Sequence, residues 1–491
     1  MTSLKPTRTV GSQSLATSLT HPGPAPCSPT SFAAATAIAL IAGLFAAFFT
    51  AVGSAAVLAQ EAQERVPGTA LPLEDRETPP PRYDFSTNVT GDWFGARTWL
   101  AERGVTIRGG YAMEFMANPV GGREQGESYV HNVLLEGNFD LDRLLGVPGT
   151  TFRIAGSQRT GNSLSREDIG NAISVQQLYG GGQRVRLVQA QFITSLLEDR
   201  VNLAYGRLAA TDDFLTSPLF CQFITNGICG QPPSPFFNLP DGITAYPTAV
   251  WGARAKVKPT AQTHVQLGVY DGDVPQRNDA GEDNNKHGTN LTFGDNGALI
   301  LGEVGYSPEQ ALFRLPGHYK LGGYYHTGDF RNVAEDADGG NPFVTGLDGD
   351  RFTGNSGVYL LLDQTVYREA DSRSQGLTLF YVFVYSPDDE HNTIPYYTSG
   401  GMIYEGLIPS RPNDKTAFGV HNAWFSDALS DARADAGLER QDTETTLELN
   451  HQFQITPALY LRPAIQYVIT PNGQDDIDNA FVVGFEASII F

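Results

Sequence analysis

The chain has 491 residues and an acidic balance, 33 Lys+Arg against 54 Asp+Glu, for a formal net charge of −21. With 28 Phe and 20 Tyr it is too aromatic for a disordered acidic chain, and too negative for a protein that grips nucleic-acid phosphates. A mean hydropathy of −0.22 does not decide for or against a membrane, because strands that alternate lipid-facing and water-facing residues average to neutral.

Residues 1–59 read as a signal peptide. Lys5 and Arg8 precede an apolar run from Phe32 to Val52, and small residues lead to a cleavage point after Ala59. The competing reading is a membrane anchor, since about twenty apolar residues could span a bilayer. Residues 60–89 are polar and proline-bearing, the composition of a flexible periplasmic arm. In residues 90–104, Trp93, Ala96, Trp99 and Leu100 recur at helical spacing and Gly104 stops the run. This predicts one short amphipathic helix that packs through those four residues.

From Val105 to Phe491 the period becomes two. Val105, Ile107, Tyr111, Met113 and Phe115 alternate with Thr106, Arg108 and Glu114; Phe481, Val483, Phe485, Ile489 and Phe491 alternate with smaller or more polar residues at the very end of the chain. Sixteen such segments are predicted, near 105–117, 128–140, 151–158, 184–194, 200–209, 249–258, 262–271, 297–306, 318–327, 356–367, 375–385, 396–407, 415–424, 443–454, 458–468 and 481–491. Their connections alternate in length. Long ones run near 159–183, 210–248, 272–296, 328–355 and 425–442, short ones near 195–199, 259–261, 368–374, 408–414 and 455–457.

Strands of about ten residues with one apolar face and loops sorted by length describe a sixteen-stranded antiparallel transmembrane β-barrel, short turns on the periplasmic side and long loops outside. A β-sandwich also alternates, but nothing in it sorts loops by length. A closed barrel pairs its last strand with its first, which explains the apolar C-terminus. Phe491 then sits in the aromatic girdle at the periplasmic interface, in the outer membrane and against its lipid.

Cys221 and Cys229 form an even pair in the longest loop of an exported chain, the pattern of a disulfide, and that loop is a candidate to fold into the lumen as the constriction; neither Cys has the neighbouring His or second CxxC of a metal site. No metal or cofactor is expected. The charged and aromatic residues that alternate inward are Arg108, Glu114, Glu136, Arg153, Arg254, Lys256, Glu303, Lys320, Tyr324, His326, Asp363 and Arg462. Any one of them is explained by a solvated polar lumen. Together they mix both signs with Tyr and His, which suits a neutral polyhydroxylated solute better than the one-sided basic ladder of an anion channel.

The run "GDWFGARTWLAERGVTIRGGYAMEFMANPVGG" (91–122) resembles the opening of the carbohydrate-selective porins of the OprB type. The likeness continues in "GRLAATDDF", "GVYDGDVP", "LPGHYKLGGYYHTGDF" and "LELNHQFQITPALYLRPAIQYVITPNG", over residues 90–491. The resemblance implies a sixteen-stranded outer-membrane barrel that admits glucose and other small sugars by diffusion. It also implies selectivity set by charged residues at a constriction, here Arg108, Arg254, Lys256, Glu303, Lys320, His326 and Asp363 on the matching strands. A terminal Phe of this kind resembles the signal read by the barrel-assembly machinery. Where the family often carries an Arg, "GLTLFYVFVYSP" has Val382. A general or cation-biased diffusion pore is the alternative, and single and trimeric barrels both stay open. Motifs for an enzyme (GxSxG, HExxH, a P-loop) do not occur, and the cluster Asp388, Asp389, His391 reads as a solvated turn.

Overall fold

The computed structural model describes residues 84–240, 242–276, 283–370, 372 and 374–491. The expected signal peptide, and residues 60–83 of the expected arm, lie outside them. Sixteen antiparallel strands follow in chain order. The first eight are β1 (Val105–Gly122), β2 (Glu127–Asp140), β3 (Thr150–Gly161), β4 (Val185–Leu196), β5 (Val201–Leu208), β6 (Val250–Thr260), β7 (Thr263–Asp271) and β8 (Ala298–Tyr306). The second eight are β9 (Gly317–Asp336), β10 (Gly349–Arg368), β11 (Gly376–Tyr385), β12 (Tyr396–Glu405), β13 (Lys415–Trp424), β14 (Thr443–Thr456), β15 (Leu459–Ile469) and β16 (Asp478–Ile490).

Each strand pairs with its sequence neighbours, and β16 pairs with β1 to close the barrel. Closure leaves no row of unpaired backbone groups, which a strand in lipid could not tolerate. The alternation sorts side chains as the sequence predicts: on β1, Arg108, Ala112, Glu114 and Met116 turn inward and are buried, while Ile107, Tyr111 and Phe115 face out. Outside, aromatic rings pair across neighbouring strands near the short-turn end, as in the run Phe139, Phe152, Phe192 and Tyr205, and again in Tyr306 with Tyr319. Rings at the level of the interface are the mark of a barrel set in a bilayer. Among the described residues no helix is long and apolar enough to cross a membrane.

Three details depart from the sequence reading, and a fourth extends it. The short helix Ala96–Ala101 buries Arg97 and Ala101, and Trp99 is exposed. Arg97 wins the inner face because its guanidinium donates to the Gly91 and Ile107 carbonyls and lies over the Trp93 ring. Residues 84–89 are not part of a free arm: the Val89 N–H donates to the Ile490 carbonyl and the Ser86 carbonyl accepts from Ala458. Strands β9 and β10 run to Asp336 and start at Gly349, well into the expected loop 328–355. Their extension packs against the outer connections, with Phe352 stacked on the His391 ring and Asn332 donating to Glu390, so the lipid-driven alternation has no cause there.

The fourth detail matters most, and it agrees with the expectation that the loop carrying Cys221 and Cys229 folds into the lumen. The connection from β5 to β6 leaves the long-loop end and then folds back inside the barrel. Phe214, Leu215, Phe220, Phe223, Ile228, Leu239 and Ile243 from this segment are all buried, in one cluster with inward side chains of β8 and β10–β13. The inner wall is therefore apolar over part of its circumference. Val382 lies there, fully buried under the segment, at the position where the resemblance led one to look for an arginine. Burying each of these side chains contributes ~1.5–3 kcal/mol, so the segment is held as a packed element and not as a tethered flap.

Candidate functional site in the barrel lumen

Strand register decides which inward residues share a level. Arg108 on β1 is opposite Glu136 on β2, and Asn138 opposite Arg153 on β3. Asn202 on β5 faces Lys256 on β6, Lys256 faces Gln266 on β7, and Gln266 faces Glu303 on β8. Lys320 on β9 is registered with Gly305, and His318 with Asp363 on β10. The result is a polar belt from β1 to β10 in the half of the barrel nearer the short turns.

Within the belt the charges are partnered. The Arg153 Nε donates to the Asn138 amide oxygen at 3.0 Å, and Asn138 donates to Glu136 at 2.6 Å; Arg153 Nε lies 3.9 Å from the same carboxylate. Arg254 makes a 2.8 Å ion pair with Asp213 and donates to the Asn202 side chain at 2.6 Å. Lys320 Nζ donates to the Thr216 carbonyl at 2.9 Å, and His318 meets Asp363 at 2.6 Å. Lys256 is half-buried between Arg254, Asp213, Lys320 and Glu303. Several polar atoms of the belt stay buried without a partner, Nε of Arg254 and Oε1 of Gln266 among them, and on neighbouring strands Oε2 of Glu136 and Nη2 of Arg153. Buried polar groups are normally satisfied, so a pair of opposite sign left unsatisfied on neighbouring strands marks a place prepared for a hydroxyl or water.

The infolded segment forms the other border of this site. The stretch 212–216 is pinned to the wall: Gln189 donates to Asp212, Gln266 to the Asp213 carbonyl, and the Leu215 N–H donates to Glu303. Asp212 is close enough to Arg153 and Glu136 to feel both charges. Burial, reinforced by the neighbouring Asp213 carboxylate, pushes Asp212 up to about 7. Its protonation therefore changes in the neutral range, where an ordinary Asp stays ionised.

The remaining sequence-predicted residues point inward but are occupied by the fold. Glu303 accepts from His264, Gln266, the Tyr359 hydroxyl and Leu215 N–H, at 2.9 to 3.3 Å. Glu114 accepts from the Leu178 N–H, Tyr324 bonds Ser386, and Arg462 donates to the Cys221 carbonyl. His326 donates from Nε2 to the Gly272 carbonyl and accepts the Gly328 N–H on Nδ1, a neutral ring with both nitrogens used. Cys221 and Cys229 are joined in a disulfide within the infolded segment, their Cα atoms 4.7 Å apart.

Sequence reasoning missed the other anchors. Glu448 accepts the Ile224 and Thr225 N–H groups at 2.9 and 2.7 Å; Glu444 accepts those of Ala172 and Ile173, from the β3–β4 connection, at 2.7 and 2.6 Å. Glu486 accepts from Gln177 and Arg462. Together with Glu114 and Glu303 these form a set of wall carboxylates whose partners are loop donors. Glu448 and Glu486 were not among the inward residues read from the sequence, although both alternate with apolar neighbours on their strands, and alternation does not say what a carboxylate would hold. Asp212 and Asp213 carried a signal, since they belong to the quoted "GRLAATDDF" run.

Comparison with known proteins agrees with this geometry. The family model for the carbohydrate-selective porins, OprB family, matches residues 124–491. Porin B of Pseudomonas aeruginosa is 30% identical over 431 residues, covering 83% of this chain and 92% of its own. The putative porin QuiX of Acinetobacter baylyi is 28% identical over 82% of this chain and 93% of its own. The high-pH structure of Pseudomonas putida OprB superposes with a TM-score of 0.76 at 28% identity, covering 83% of this chain and 99% of the other. The chain belongs to the OprB family of carbohydrate-selective porins, a sugar-selective channel of the bacterial outer membrane.

Proposed function

We propose that sugars cross at the belt, between the stretch 212–216 on one side and Arg108, Glu136 and Arg153 on the other. The observation that carries this reading is the unsatisfied pair Glu136 Oε2 and Arg153 Nη2 beside Asp212 and Arg254. A pyranose offers each hydroxyl as donor and acceptor, so it can bond the outer carboxylate oxygen and guanidinium nitrogen that the long 3.9 Å Glu136–Arg153 pair leaves unused. Arg108, Glu136, Arg153, Arg254, Lys256, Lys320 and Asp363 then act on the solute. Glu114, Glu303, Tyr324, His326 and Arg462 act on the infolded segments. Each contact to the solute is weak, as conduction requires, since a tight site would not release. The solute leaves unchanged, with no catalytic step, and Phe491 serves the barrel-assembly machinery.

The test is liposome swelling with glucose, a disaccharide and an amino acid of similar size, for wild type and for Arg153→Gln with Lys256→Gln. Wild type should admit glucose faster than the amino acid, and the double variant should lose most of that difference. Equal rates in wild type would leave a general diffusion pore. A preference untouched by the double variant would move the selectivity off the belt.

A further inference from the structure

The short-turn end of the barrel is more apolar than a rim in water should be. Four of its seven connections expose two large apolar neighbours side by side: Leu144–Leu145, Leu196–Leu197, Leu312–Phe313 and Leu407–Ile408. Leu197 and Phe313 are each 72% exposed, and Phe94, just before the helix Ala96–Ala101, is fully exposed. These three share a second property. Their backbone lies in the left-handed region, with φ of 54° at Leu197, 60° at Phe313 and 57° at Phe94. That region strains a residue with a side chain and costs glycine nothing. A turn that merely had to reverse the chain in water would be served better by glycine or asparagine there.

We infer that the Leu197 and Phe313 turns, with the segment of Phe94, are pegs, which seat these three side chains in the inner, phospholipid leaflet of the outer membrane. Three observations select this occupant. The pegs continue the lipid-facing band: Leu197 follows Phe192 of the outer aromatic run on β4, and Phe313 lies between Tyr306 and Tyr319. Exposed arginines stand beside them, Arg200 next to the Leu197 turn and Arg314 immediately after Phe313, in position for a lipid phosphate. Glu198 and Asp199 are exposed on the same turn as Leu197 and suit the ammonium group of a zwitterionic headgroup. The helix Ala96–Ala101 fits the same picture, since it turns Trp99 outward and covers it with Arg103, 4.1 Å from the ring centroid. An amphipathic element at a headgroup boundary presents its aromatic face to lipid and its cation to phosphate.

The experiment uses the intact barrel with Leu197→Cys or Phe313→Cys, fluorophore-labelled, in phosphatidylethanolamine–phosphatidylglycerol vesicles. Ala261→Cys, in the two-residue turn between β6 and β7 that bears no large apolar group, is the reference. Two quenchers are compared: nitroxide on the upper acyl chain, and aqueous iodide. The pegs should be quenched by the lipid nitroxide roughly twofold or more above the reference, and correspondingly less by iodide. Quenching by iodide equal to that at position 261, with none by lipid, would place the pegs in water and overturn the inference. Protection from both quenchers would also overturn it, because a second copy of the chain would then cover the rim.

Discussion

Asp212 borders the proposed sugar path, beside Asp213, Arg153 and Glu136. Burial and Asp213 raise it to about 7, so the belt carries one more negative charge above neutrality than below it. The sign for stability follows: a carboxyl raised in the folded state favours the folded, infolded arrangement at low pH, and that contribution is lost as pH rises through about 7. Cation preference, read as the reversal potential across a salt gradient, should therefore increase between about pH 6 and about pH 8, and Asp212→Asn should flatten that dependence. A wild-type profile that is already flat would assign the site an ordinary carboxylate. Glu448 tests the anchoring side. Glu448→Ala strands the Ile224 and Thr225 N–H groups, each at a cost of ~1–3 kcal/mol if left unsatisfied. Single-channel current should become noisier and larger as the segment loosens, whereas Asp363→Ala, outside the segment, should leave the noise unchanged.

At the scale of elements, the strands were legible because the barrel imposes one simple rule, lipid outside, on every second residue. Of the infolded segment only its entry into the lumen was legible, from the Cys pair in the longest loop; its packing was not, because its partners are inward side chains far away in sequence, such as Leu299 and Phe380, and the segment has no period of its own. The same limit applied to the site. Alternation showed that Arg153, Glu303 and His326 face inward, but only the register and the segment separate a belt residue from an anchor. The protruding part of β9 and β10 was read as loop for the opposite reason: beyond the lipid it packs on the outer connections, through Phe330 and Phe352, and the lipid-driven alternation ends. Proteolysis distinguishes these elements. Protease added to intact cells should cut in the outer connection 337–348, and spare 209–249 although it is the longest. With Cys221→Ser and Cys229→Ser the closure entropy of a short loop is lost, ~2–3 kcal/mol, and 209–249 should become cleavable. Cleavage there in the wild type would mean that the segment does not stay inside.

For the whole molecule, the critical seam is where the first and last strands meet. Phe491 and Gly109 exchange backbone hydrogen bonds at 2.8 and 2.9 Å, and the Phe491 ring covers Gly109 so closely that a Cβ there would come within 2.4 Å of it. Gly109→Val should displace the ring, and should lower the yield of folded, heat-modifiable barrel much as deletion of Phe491 does; an unaffected yield would make the terminal ring dispensable to closure. The apolar inner wall has a consequence of another kind. Part of the circumference is cemented to the infolded segment, and the β3–β4 connection packs on β1 and β2 from inside, so the water path is much narrower than the barrel. The strand count then sets the diameter of the container and not of the opening: current through this protein should be far below what sixteen strands would pass if their interior were free, and enlarging the barrel would add wall without adding aperture.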